Sequence, residues 1–286
     1  MKNKERLKLL YSFKGALLKR LFKGLLVITL ITVGICLLNL HHNVMNLKVS
    51  TALPGYMGAA LGLLLVFRNN TAYDKWWEAR KEIGGLVNVC RNFAITINGN
   101  LPPGNREKIS IARLVISFVY CLKDHLRDEF HPSSLKNLEA EEVKIISSAT
   151  HKPNIVANMI MNKMEKLHKS ESLSEMQHYL LVTKINTMID ILGRCERIKN
   201  TPIPMAYGFL LKFFINVYVL ILPFGLFNDI GWWTIPLVMM LYYILMSIVL
   251  TAEEIEEPFG NDLNDLPLNK ISINIENNIE EIVSHE

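Results

Sequence analysis

Signatures of catalysis and nucleotide handling are missing from this chain. It has no GxGxxG turn or P-loop to cradle a phosphate, no GxSxG elbow to raise a nucleophilic serine, and no HExxH pair to hold zinc. Its four cysteines, Cys36, Cys90, Cys121 and Cys195, include no CxxC pair. That spacing removes a zinc knuckle or a redox dithiol and leaves reduced thiols as the expectation. Alternating strand patterns of useful length and internal repeats are both lacking, so an all-α chain is predicted. Nothing in these absences argues for an enzyme.

Charge is also missing, and unevenly. Half of the 286 residues are hydrophobic and a fifth are charged, yet four stretches carry almost no charge: residues 24–38, 52–67, 213–227 and 232–252. A helix needs about 20 residues to cross the hydrocarbon core, in a range of roughly 17–25. The fourth stretch qualifies outright; the first and third qualify if Lys23 and Lys212 snorkel to the interface. The second is short. Four such runs in one chain are hard to bury in a water-soluble core, so four transmembrane helices are expected.

The basic residues orient them. Lys2, Lys4, Arg6, Lys8, Lys14, Lys19, Arg20 and Lys23 precede the first run against the single acid Glu5, whereas the loop after it has only Lys48. The middle of the chain is rich in Lys and Arg, and the turn at 228–231 has neither. By the positive-inside rule both termini and the middle lie in the cytoplasm, with Trp232 and Trp233 as interfacial anchors. No small-residue cleavage site follows the first apolar run, so no cleavable leader is expected. The net charge of +4 largely serves this orientation, and no nucleic-acid partner is indicated.

The middle region repeats apolar residues every three or four positions over 108–130, 154–168 and 174–199, broken at Pro102-Pro103-Gly104, Pro132-Ser133-Ser134, Pro153 and 201–204. It reads as a cytoplasmic helical bundle. The expected organisation is therefore residues 1–67 with a basic start and two spans, 68–206 as the cytoplasmic helical domain, 207–252 with two further spans, and 253–286 as a cytoplasmic tail.

Two clusters invite a metal. His41 and His42 stand together in a short external loop without a third ligand. Glu253, Glu254, Glu256 and Glu257, followed by Asp262 and Asp265, have the oxygen chemistry for Ca²⁺, with Glu256, Glu257, Asp262 and Asp265 the candidate cation site. Their spacing is not that of an EF-hand: the turn glycine is misplaced and Pro267 interrupts. A solvated helix end is the plainer reading of that cluster.

The second apolar run has an internal order that a lipid anchor does not need. Gly55, Gly58 and Gly62 recur at helical spacing, which lets backbones approach closely. Beside them runs a second row, Ala59, Leu63 and Phe67, at i, i+4 and i+8. Several copies of such a helix around an axis would set that row inward as an apolar constriction, one way of gating ions by dewetting. A central helix is shielded by the other spans, so its shortness is tolerable. Between Arg68 and Arg80 no Gly or Pro stops the helix, so it is predicted to continue into the cytoplasmic bundle.

The stretch from Phe67 to Arg80, Phe-Arg-Asn-Asn-Thr-Ala-Tyr-Asp-Lys-Trp-Trp-Glu-Ala-Arg, resembles the bestrophin family and its bacterial branch. So do Gly193-Arg194-Cys195-Glu196-Arg197 leading to 201–207, and Glu256-Glu257-Pro258-Phe259-Gly260 leading to 264–268, in the same order. The resemblance implies a homopentameric ion channel in a bacterial inner membrane, with the lipid bilayer and small monovalent ions as its other partners. It places the neck at Ala59, Leu63 and Phe67 and a cytoplasmic constriction at Met176. It requires no cofactor. The acidic run that helps clasp Ca²⁺ in animal members is thinned here, which counts against Ca²⁺ activation, and Ala59 makes the upper neck wider than the usual three bulky residues. An apolar row carries no formal charge to set the sign, so chloride or other anions and sodium or potassium both stay open. A secondary transporter would need broken helices and repeats, of which Asn216 and Pro223 are the only hints. A membrane-anchored scaffold or sensor would tolerate polar substitutions at Leu63 and Phe67.

Overall fold

In the computed structural model, residues 3–42, 52–102, 104–135 and 138–284 are described, and the chain there is helical, without strands. The helices are α1 (Asn3–His42), α2 (Ala52–Asn100), α3 (Arg106–Leu126), α4 (Ala140–Ser148), α5 (Lys152–Lys169), α6 (Glu175–Asn200), α7 (Met205–Ile230), α8 (Thr234–Glu256) and α9 (Leu268–Ser284). Short 3₁₀ turns occupy Pro132–Ser134 and Gly231–Trp233. The chain forms two compact units: residues 1–75 with 202–256, and residues 76–201 with 257–286. The units divide at 75/76, 201/202 and 256/257; composition set the corresponding divisions at 67/68, 206/207 and 252/253.

The first unit packs α1, the first part of α2, α7 and α8. Leu21 and Ile28 of α1, Leu61 and Leu65 of α2, Ile215 and Val219 of α7, and Val238 and Tyr242 of α8 form its core. Lys19–Leu38 and the stretch Met205–Glu256, which holds α7 and α8, are long and apolar enough to cross a membrane. The turn expected at 228–231 is tighter than its composition suggests. Helix α7 keeps Asn228 to Ile230, and the reversal falls on Gly231, whose φ of 55° is a left-handed conformation that glycine adopts without steric cost. Pro223 does not break α7 either, and the Asn216 side chain donates to the Lys212 carbonyl at 2.8 Å. Neither transporter hint therefore marks an interrupted helix. The loop that follows α1, at 43–51, lies outside the described residues, and His41 and His42 end α1 rather than standing in that loop.

The second unit is built from the rest of α2, α3 to α6 and α9. Its core joins Ile83, Leu86, Phe93 and Ile97 of α2 to Ile111, Leu114 and Phe118 of α3, Ile160 and Met164 of α5, Ile185 and Met188 of α6, and Ile275 and Ile279 of α9. Capping sets the helix starts. Asn105 accepts from the Glu107 amide at 2.8 Å to open α3, and Ser174 forms a reciprocal capping box with Gln177 to open α6. Such caps are worth about 1 kcal/mol each. Two helices are not among the segments that periodicity singled out: α4, inside the middle region read as helical, and α9, in the C-terminal segment.

Helix α2 is one uninterrupted element of 49 residues, as the lack of a stop between Arg68 and Arg80 predicts. It contributes to both units.

Candidate functional site

The first unit leaves one face of α2 uncovered. Leu61 and Leu65 point into the core, each 4% exposed, while Leu63 and Phe67 are 59% and 60% exposed and Ala59 is exposed with them. The three residues picked out by spacing therefore share one open row. The glycines divide. A Cβ on Gly58 would stand 3.0 Å from the Tyr218 hydroxyl of α7, whereas one on Gly55 or Gly62 would meet nothing within 4 Å. Gly58 thus serves packing within the chain, and Gly55 and Gly62 border open space.

At the lower end of the row sits an ion pair that sequence reasoning missed. Arg68 donates through Nη2 to Glu256 Oε2, and the Ile203 amide donates to Glu256 Oε1 at 2.9 Å. The pair is nearly dry, with side chains 7% and 13% exposed, so it draws the end of α8, the approach to α7 and α2 together. Arg68 Nε and Nη1 are buried without a hydrogen-bond partner in the structure. A signal was available: an arginine at the end of an apolar run requires a counter-charge if the position is buried. Two further pairs lie near this end of α8, Lys212 with Glu253 at 2.7 Å and Arg20 with Glu254 at 3.1 Å. A cavity of about 510 Å³, lined by Leu64, Phe67, Arg68, Pro204, Tyr207 and others, opens beside the pair.

Of the four candidate carboxylates for a cation, Glu256 and Asp265 are engaged in separate hydrogen bonds. Glu256 serves Arg68 and Ile203 as above. Asp265 Oδ2 accepts from the Asp262 amide at 2.6 Å, and the Glu257 carbonyl accepts from Gly260 at 3.3 Å. A Cβ on Gly260 would stand 2.6 Å from Asp265 Oδ2, so the turn needs glycine there for closeness. Other residues of the second unit hold this turn as well. Arg127 donates to the carbonyls of Phe259 at 3.1 Å and Gly260 at 3.0 Å, and Trp76 Nε1 donates to the Asn264 carbonyl at 3.0 Å. Among the described residues, three or more metal-ligating atoms converge at one place, His125, His151 and Glu196, which is not this turn.

Met176 lies in the first turn of α6, two residues after the Ser174 cap, and is 67% exposed. The outward face of α6 continues through Tyr179, Leu180 and Thr183. Its inner face is pinned to α2: Arg194 donates to Glu82 at 2.8 Å, Arg197 pairs with Glu78, and Gly85 brings α2 close to Ile191. The hydrogen bond that Arg194 donates to Glu82 raises the Arg194 pKa.

All four cysteines are free and buried. Burial pushes the thiols of Cys90, Cys121 and Cys195 up to about 12.

Comparison with known proteins agrees with this architecture. A family profile described as Bacterial/Fungal Bestrophin protein matches residues 1–281. A voltage-dependent anion channel-forming protein of Nostoc sp. is 34% identical over 280 residues, covering 96% of this chain and 90% of the relative. The voltage-dependent anion channel-forming protein YneE of Salmonella typhi is 30% identical over 271 residues, covering 94% and 89%. Among solved structures, a substituted form of a bacterial bestrophin homologue from Klebsiella pneumoniae superposes with a TM-score of 0.88 at 27% identity, covering 94% of this chain and 98% of that one. With its profile matched nearly end to end, this chain belongs to the bacterial/fungal bestrophin family.

Proposed function

We propose that five copies of this chain assemble in a bacterial inner membrane, termini in the cytoplasm, as a passive channel for small monovalent anions. The α2 rows face a common axis: Ala59, Leu63 and Phe67 form an apolar neck, and Met176 forms a second constriction. The observation that carries this reading is the open row itself. Its residues repeat at i and i+4, stand uncovered by the chain's own helices, and lie beside glycines that border open space. A dry ring of such side chains resists ions unless it widens or wets, which is a gate. The sign is taken from the relatives, which are named for anion channels, and no carboxylate lies in the row to oppose it. The channel works without a cofactor in this reading, with Glu256 held by Arg68 and Asp265 by an amide of its own turn.

Single-channel recording of the purified protein in planar bilayers under asymmetric KCl tests it. Unitary currents reversing near the chloride potential are expected, unchanged by a Ca²⁺ chelator. Leu63→Ser and Phe67→Ala are expected to alter conductance or gating. Silent bilayers from an assembled protein, and from Leu63→Ala and Met176→Ala as well, would instead support the scaffold reading.

A further inference from the structure

His125, His151 and Glu196 take no part in the proposed pore. They come from three helices of the second unit: the last turn of α3, the residue capping the start of α5, and the last third of α6. Both imidazole Nε2 atoms lie 2.7 Å from the same carboxylate oxygen, Glu196 Oε1. The rings stand 4.5 Å apart, and the three ligand atoms all lie within 4.8 Å of one another. Each side chain is between 27% and 34% exposed, so an ion can reach the group from solvent.

The scaffold around the triad is fixed independently of it. Lys199, one turn beyond Glu196 on α6, donates to the His125 carbonyl at 2.9 Å and to Asp128 at 2.7 Å. This ties the end of α3 to α6. Two imidazoles and one carboxylate form a ligand set used for zinc, with a fourth position left to water. Bonds of about 2.0–2.2 Å to a tetrahedral ion need ligand atoms roughly 3.3–3.5 Å apart. Opening the two short hydrogen bonds by less than about 1 Å provides that spacing. The Asn154 amide reaches His151 Nδ1 at 3.4 Å, which keeps the His151 proton on Nε2 in the metal-free chain. Loading moves that proton to Nδ1 and gives up this long hydrogen bond, a small loss beside a metal bond.

We infer that His125, His151 and Glu196 form a binding site for one zinc-like transition-metal ion per chain, stapling α3, α5 and α6.

The test uses the full-length protein in detergent, stripped of metal and titrated calorimetrically with zinc chloride. One zinc per chain is expected, with affinity falling by at least about 10-fold in His125→Ala and in Glu196→Gln. His131→Ala, outside the triad, is expected to bind as the wild type does. The stacked pair His168 and His178 is the competing imidazole site. Binding that survives both triad changes but is lost in His178→Ala overturns the inference, and so does the absence of saturable binding. Zinc X-ray absorption on the unsubstituted chain decides the matter even if the variants do not fold. Two imidazole nitrogens with carboxylate oxygen are expected, and a shell with fewer than two imidazoles rejects the site.

Discussion

At Arg68 and Glu256 two opposite charges share a site that water scarcely reaches, and each is costly there without the other. Removing one partner from such a buried pair costs about 3–5 kcal/mol, because it strands the remaining charge. Glu256→Gln is therefore expected to lower the thermal unfolding midpoint clearly. Arg68→Leu combined with Glu256→Leu is expected to lose less than either single change, since no charge is stranded. A double change as costly as the sum of the singles would mean that the two residues act separately. The thiols make a second residue-scale case. Cys90, Cys121 and Cys195 titrate near 12 in the folded chain against an ordinary 9.0, so the folded state holds protons that the unfolded chain releases. Their contribution is full below pH 9 and is lost as pH rises from 9 towards 12. Tyr120, raised by burial and by its hydrogen bond to Glu276, adds to the loss in the same direction. Stability measured in urea is expected to fall across that window, and thiol reagents at neutral pH are expected to label these positions only on unfolding.

Among the elements, long helices with strong periodicity were legible and short or polar ones were not. Helices α3, α5 and α6 begin and end within a few residues of the expected 108–130, 154–168 and 174–199, because caps and prolines mark their starts in the sequence. Helix α9 shows what was hidden. Leu268, Ser272, Ile275 and Ile279 recur every three or four residues and are buried, but they lie among acids and asparagines in a segment that composition describes as a tail. Only the α3 surface that receives them, including the Tyr120 hydroxyl bonded to Glu276, reveals the pattern as a packed face. Ile275 is 1% exposed. Ile275→Ala is thus expected to cost about 2–5 kcal/mol, read as earlier thermal unfolding together with new proteolytic cleavage in α9. An unchanged cleavage pattern would show α9 to be a dispensable appendage. The cysteines, by contrast, were expected as reduced thiols from the lack of a CxxC pair and the expected cytoplasmic side of three of them, and all four are free.

At the level of the whole molecule, what the sequence exposed was the α2 row, and what it concealed was the arrangement that uses the row. Periodicity reports which residues share a face, but not what covers that face. Within the chain, Ala59, Leu63 and Phe67 are open and the Arg68–Glu256 pair closes the end of the row, a contact between residues 188 positions apart that no local pattern announces. Gly62 separates folding of one chain from assembly of several. A side chain there meets nothing within 4 Å in the isolated subunit, and replacing a helical glycine removes its entropic penalty. Gly62→Leu is therefore expected to leave helix content and the stability of the single subunit at least as great as in the wild type. In a ring whose central helices approach through small residues, the same side chain would fill the space that a neighbouring α2 needs. If the subunits assemble as proposed, native mass spectrometry is expected to show the variant shifted from pentamers towards smaller species, with loss of unitary current. Intact pentamers conducting like the wild type would place Gly62 away from the subunit interface, and the glycine row would then be no guide to how α2 surrounds the axis.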